Sequence, residues 1–147
     1  MKYFVCRVSV RSVLLIAAIV VGHGVVSACA STSIPPLESL HTSNQFSYAL
    51  HLQENAAESS LRCSVAAASR NERYRYLTDA TWSFLNAALI AHKIGQSQRA
   101  GHDLLLAQAL YQTLMDHRST LSPSIDRDIQ AMVPLLHDAV AGRWPVL

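Results

Sequence analysis

Six apolar residues, Leu77, Ala80, Phe84, Ala87, Ala91 and Ile94, follow one another at spacings of 3, 4, 3, 4 and 3. Only a helix gathers such a series on one side, because a helical turn takes 3.6 residues whereas a strand returns to the same face every second residue. Comparable stripes run before and after it. Phe46, Ala49, Leu50, Ala57, Leu61, Val65 and Ala68 mark a first helix. Ala100, Leu104, Ala107, Tyr111 and Leu114 mark a third, which Leu105, Leu106 and Leu110 widen, so that it is expected to touch neighbours on two sides. Ile125, Ile129, Met132, Val133, Leu136 and Val140 mark a fourth. No strand-like alternation competes with these stripes.

The punctuation agrees with the stripes. Thr42-x-x-Gln45 and Ser69-x-x-Glu72 are capping boxes, in which a side-chain oxygen and an amide satisfy each other across the first turn. Ser97 is the expected cap of the third helix, whose last turn carries His117 and Arg118. Ser122 followed by Pro123 opens the fourth, with Asp126 and Asp128 near its positive end. Gly95 and Gly142 are natural stops, and Pro134 is expected to kink the last helix. The fold class is therefore all-α: a compact antiparallel bundle of about four helices over residues 42–141, with a C-terminal tail at 142–147 and short loops between neighbours. A hundred residues of this kind bury somewhat over 60% of the surface of the unfolded chain, enough for independent folding.

Charge is unevenly placed along the 147 residues. The formal net charge of +2 comes from Lys2, Arg7 and Arg11, before which and after which no acid occurs until Glu38. From residue 29 onward nine basic residues face ten acidic ones. Such a body lacks the basic footprint that nucleic-acid binding needs, so no nucleic-acid partner is expected. Residues 12–28 carry no formal charge, and the continuous apolar core at 13–21 is nine residues long. As a helix it reaches about 14 Å against a hydrocarbon layer of about 30 Å, so it suits an export signal better than a membrane span.

Val26-Ser27-Ala28-Cys29, directly after that core, resembles the lipobox of bacterial lipoprotein precursors: an aliphatic residue, two small residues and a cysteine. The resemblance covers residues 1–30. It implies a signal peptide at 1–28, cleavage between Ala28 and Cys29, a diacylglycerol thioether on Cys29, and an extended tether at 29–41 containing Pro35 and Pro36. Several acyl chains give stable attachment, each buried methylene contributing about 0.8 kcal/mol. Ala30, where the family uses Asp to retain its members in the inner membrane, implies outer-membrane sorting facing the periplasm. Two other fates stay open: cleavage at the overlapping Ala28-Cys29-Ala30 pattern, releasing a soluble exported product from Ser31, and an uncleaved anchor extending to Ala30. Once Cys6 is removed and Cys29 lipidated, Cys63 is expected to be a small buried residue in an Ala-rich helix, the alternatives being an intermolecular disulfide or a reactive thiol.

No catalytic or cofactor motif is present: there is no G-x-S-x-G, no phosphate-binding glycine loop and no Cys-x-x-Cys. Six histidines follow the signal (His41, His51, His92, His102, His117 and His137), and the expectation is that none shares a helix face with another His, Cys, Asp or Glu three or four residues away. The adjacent pairs His102-Asp103, Asp116-His117 and His137-Asp138 should diverge by about 100° on a helix. No metal site, no cofactor and no enzymatic activity are expected. Arg70, Arg73 and Arg75 interleave with Tyr74 and Tyr76, a composition favoured at interfaces. Its competing reading is a solvated first turn with arginine stems and tyrosine rings covering the core edge. Trp144 is either a clasp on the bundle or a second docking anchor.

Phe84, Ala88, Gly95, Ala100, Leu104 and Ala107 are similar in spacing to one tetratricopeptide repeat, a family whose small residues let two antiparallel helices pack closely. The resemblance implies peptide or protein binding. The sequence is thus read as a membrane-anchored envelope lipoprotein with a non-enzymatic protein-binding or structural role. The alternatives are a soluble periplasmic or secreted protein binding a metal or small ligand through histidines, and an immunity or exclusion lipoprotein.

Overall fold

The computed structural model describes residues 35–145, so the signal, cleavage and lipidation expectations at Ala28 and Cys29 lie outside the described residues. Within them four α-helices follow a short 3-10 turn at Leu37–Ser39: α1 (Ser43–Ala66), α2 (Arg70–Lys93), α3 (Ser97–Asp116) and α4 (Pro123–Val140). A second 3-10 turn, Arg118–Thr120, links α3 to α4. The fold is all-α, and no described residue lies in a strand. No helix among the described residues is long and apolar enough to cross a membrane.

Both capping boxes form. Thr42 Oγ1 accepts from the Gln45 amide at 3.3 Å while Gln45 Oε1 accepts from the Thr42 amide at 2.9 Å. Ser69 and Glu72 make the same reciprocal pair at 3.2 Å. Ser122 caps α4, with Pro123 in its first turn, and the helix continues through Pro134 to Val140. Gly95 and Gly142 end α2 and α4 at φ of +77° and +74°, a region that disfavours any Cβ. One cap differs from expectation: α3 starts a residue earlier, with Gln96 as N-cap and no side-chain bond to the helix start, so Ser97 lies inside the helix.

The core is arranged in three clusters along α2. Near its C-terminal end Ala87, Ile90 and Ala91 meet Phe46, Ala49 and Leu50 of α1 and Ala100 of α3. In the middle Phe84 and Leu85 meet Ala57, Ala107, Met132 and Leu136. Near its start Tyr74 meets Leu114, Ile125 and Ile129. The order of these partners makes each successive pair of helices antiparallel. It also makes α2 the central helix, packed most extensively against α1 and α3 and less against α4. Ala49, Ala57, Ala87, Ala91, Ala100 and Ala107 are buried at these crossings, where the absence of larger side chains lets helix axes approach closely.

This arrangement corrects the expected distribution of burial. α3 meets neighbours on two sides, α2 and α4, as expected, but the broader buried face is that of α2: Thr78, Thr81, Leu85, Ala88 and Leu89 are buried outside the α2 stripe, whereas Leu105 of α3 is 67% exposed. Val65, placed on the α1 stripe, is 84% exposed, and Cys63 and Ser64 are buried instead. The packed body also starts before residue 42 and runs past 141. Leu37 and Leu40 join the first cluster, and so does Trp144.

Candidate functional site

Arg70, Arg73 and Tyr74 come together with distant parts of the chain that no local pattern joins to them. Ser69 starts α2 one residue before Arg70, and Arg70 and Arg73 stand one turn apart on the same helix face. They line a cavity of about 500 Å³ with Ala67 and Ala68 from the α1–α2 turn and His117 and Thr120 from the end of α3. Tyr74 is buried, and its ring meets the His117 imidazole edge-on at a centroid distance of 5.5 Å and an angle of 74°. No carboxylate lines this cavity. Of the two nearest in sequence, Glu72 is bound at the cavity edge, where it accepts from the amide and hydroxyl of Ser69, and Asp116 accepts from Gln112 at 2.9 Å.

The interleaved segment therefore divides. Arg70 and Arg73 face the cavity, Tyr74 is a core residue, and Arg75 and Tyr76 lie off the cavity wall, Arg75 interacting with Asp79 along its own helix. Trp144 is at the other end of α2, stacked on His92 with ring centroids 4.2 Å apart and planes at 8°. From Arg73 to His92 the helix rises about 28 Å. The two surfaces proposed from sequence are thus separate features, and Trp144 is half-buried against the first core cluster.

A second polar cluster has no counterpart in the sequence reading. Arg99 of α3 binds Glu54 of α1 through Nε and Nη2, across 45 positions of sequence, and this partnership holds the guanidinium in its charged form. His51 stands beside them, 3.8 Å from Glu54 and one turn before it. This i,i+3 pair puts an imidazole and a carboxylate on one helix face, which corrects the expectation that no histidine has an Asp or Glu three or four residues away. Asp103, one turn beyond Arg99, has a side chain that is only 3% exposed. Its Oδ1 lies 3.3 Å from His102 Nδ1, so these adjacent side chains meet despite the divergence expected of neighbours, and its Oδ2 is buried without any partner. Burial pushes the Asp103 carboxyl above its ordinary 3.8. Glu54 adds to the rise, while His102 and Arg99 oppose it. One signal for this site was legible: Ala100, Asp103 and Ala107 hold the 3 and 4 spacing of the buried stripe.

No group of three or more His, Cys, Asp and Glu that could hold a metal ion occurs among the described residues. Cys63 is buried, as expected, and is disulfide-bonded; Cys6 and Cys29, the other two cysteines, lie outside the described residues. No family model, curated protein or solved structure matches this chain. Its chemistry is read from these residues alone. Two arginines on one wall can hold an anion by charge-assisted hydrogen bonds, and one buried carboxylate can hold a proton.

Proposed function

We propose that the chain is an envelope lipoprotein, attached to a membrane through Cys29, whose helical body binds a partner protein at the surface around Arg70 and Arg73 and performs no catalysis. The observation that carries this reading is the run Val26-Ser27-Ala28-Cys29 placed directly behind a nine-residue apolar core. Seven residues, 30–36, then separate the lipidated cysteine from Leu37, the first residue packed on the core. The eight residue steps from Cys29 to Leu37 reach about 28 Å when fully extended, which keeps the body at the membrane surface. A partner reading suits a wall of charged arginines backed by a buried tyrosine, since Arg and Tyr carry much of the energy at interfaces.

Lipidation makes a definite demand on sulfur. The thioether takes Cys29 and cleavage removes Cys6, so the disulfide at Cys63 must be absent from the mature chain or made with a second molecule. Intact-mass spectrometry of the membrane fraction, with and without reductant, tests this for the native chain and for Cys29→Ser. The expected product is residues 29–147 plus acyl chains, with that mass lost in the variant. An unmodified chain beginning at Ser31, or a mature chain with Cys29 and Cys63 joined, overturns the lipoprotein reading. The partner is sought by crosslinking in native membranes. Crosslinked species that persist unchanged in Arg70→Ala/Arg73→Ala would remove this surface from the reading.

A further inference from the structure

We propose that the cavity between the start of α2 and the end of α3 is a binding site for a phosphate oxyanion carried on a soluble molecule, held by Arg70 and Arg73 with His117 beside them. The proposal deepens the reading of this wall as the recognition surface; the oxyanion site itself does not depend on lipidation, whereas the choice of a soluble source rests on the tethered reading.

The pairing of the arginines points to it. Arg62, Arg99, Arg118 and Arg143 each stand against a carboxylate of this chain, Glu58, Glu54, Asp126 and Asp138 in turn. Arg70, Arg73, Arg75 and Arg127 stand in no such pair among the described residues, and of these four Arg70 and Arg73 line one cavity whose wall contains no acid. Their one-turn spacing sets two guanidinium groups side by side, each with donors in a fixed fork suited to planar or tetrahedral oxyanions. Two cations balance a phosphate monoester dianion, whereas a single carboxylate would leave one arginine uncompensated. The opposite wall is held in place before any ligand arrives: His117 rests on Tyr74, which is fixed in the core among Leu114, Ile125 and Ile129. A site whose walls are already ordered loses less entropy on binding. The positive end of α2 reinforces the arginines.

Position decides the source of the phosphate. The tether joins the body at Leu37 and Leu40, which pack with the C-terminal turns of α2, and the cavity lies at the start of that 24-residue helix, about 36 Å along its axis. The site is at the end of the bundle opposite the tether, which favours a soluble phosphate monoester over the headgroups beside the tether.

Isothermal titration of the full chain in detergent, with inorganic phosphate and methyl phosphate at constant ionic strength, tests the site. Saturable one-to-one binding is expected, weakened about tenfold or more in Arg70→Ala/Arg73→Ala and retained in Arg127→Ala, a control at an exposed arginine of α4. Arg73→Lys, which keeps the charge and loses the fork, is expected to weaken binding as well. Thermal melts establish that each variant is folded. Absence of saturable binding, equal losses in the double variant and the Arg127 control, or binding to phosphatidylglycerol vesicles without binding to either soluble phosphate overturns the proposal. Loss of phosphate binding in the double variant while every crosslinked protein is retained leaves this site standing and removes the protein-partner reading instead.

Discussion

Asp103 occupies a position where the helix pattern asks for an apolar side chain, and its Oδ2 has no hydrogen-bond partner. Burial of a carboxylate with one oxygen unpartnered favours the neutral form and outweighs the opposing contact of Oδ1 with His102, so the proton is held more tightly in the bundle than in the unfolded chain, where the ordinary value is 3.8. The folded state therefore gains from this proton in full below 3.8 and loses the gain as pH rises through the higher folded value. Asp103→Asn removes the charge while keeping the shape. The variant is expected to melt above the native protein at about pH 7, by on the order of 1 kcal/mol, and the gap should close on going to about pH 4. Thermal melts of both proteins across that range check it. A gap independent of pH would show that Asp103 stays ionised in the bundle.

Helix ends are where local chemistry and observed structure agree most closely. Thr42, Ser69 and Ser122 accept from the backbone three residues on, because a short side-chain oxygen next to an exposed amide needs no help from distant parts of the chain. Gln96 has no such oxygen in place, and α3 begins there all the same, since Gly95 at φ +77° turns the chain and Ala100 docks on the first cluster. Gly95 can thus be tested in isolation. A Cβ there meets no atom within 4 Å, so any penalty in Gly95→Ala is backbone strain alone. Chemical denaturation is expected to show a loss of about 1–2 kcal/mol with an unchanged dependence on denaturant. The stripes were legible where residues were uniformly apolar, as for Ile125, Ile129, Met132 and Leu136. They misled where a buried residue is polar. Thr78 and Thr81 donate to the carbonyls of Tyr74 and Leu77 at 2.8 and 2.7 Å, and a hydroxyl satisfied within its own helix is cheap to bury.

The bundle as a whole has two distinct ends. At one, Leu37, Leu40 and Trp144 close over the last turns of α2, so the entry and exit of the described chain are held by a single cluster. At the other lie the open cavity and the paired arginines. Trp144→Ala removes the ring stacked on His92 and should reduce stability by about 1–3 kcal/mol. Hydrogen exchange is expected to quicken at residues 37–40 and in the last turn of α2 and to stay unchanged near Arg70, since energetic effects at well-separated sites are largely independent. Faster exchange at both ends would mean that the bundle opens as one unit.

Helix number, helix ends and fold class follow from near-neighbour chemistry: a turn takes 3.6 residues, a cap reaches three residues, and a glycine alone accepts a left-handed stop. All of these are written within a few consecutive positions. Which helix is central is not, because a stripe says that one face is buried without saying how many neighbours bury it. Packing settled that question in favour of α2, left Leu105 and Val65 in solvent, and drew Leu37 and Trp144 into the core. The two polar clusters depend on the same long-range step. Glu54 and Arg99 are 45 residues apart, and Arg73 and His117 are nearly as distant, so their meeting depends on the order in which α1 and α3 flank α2.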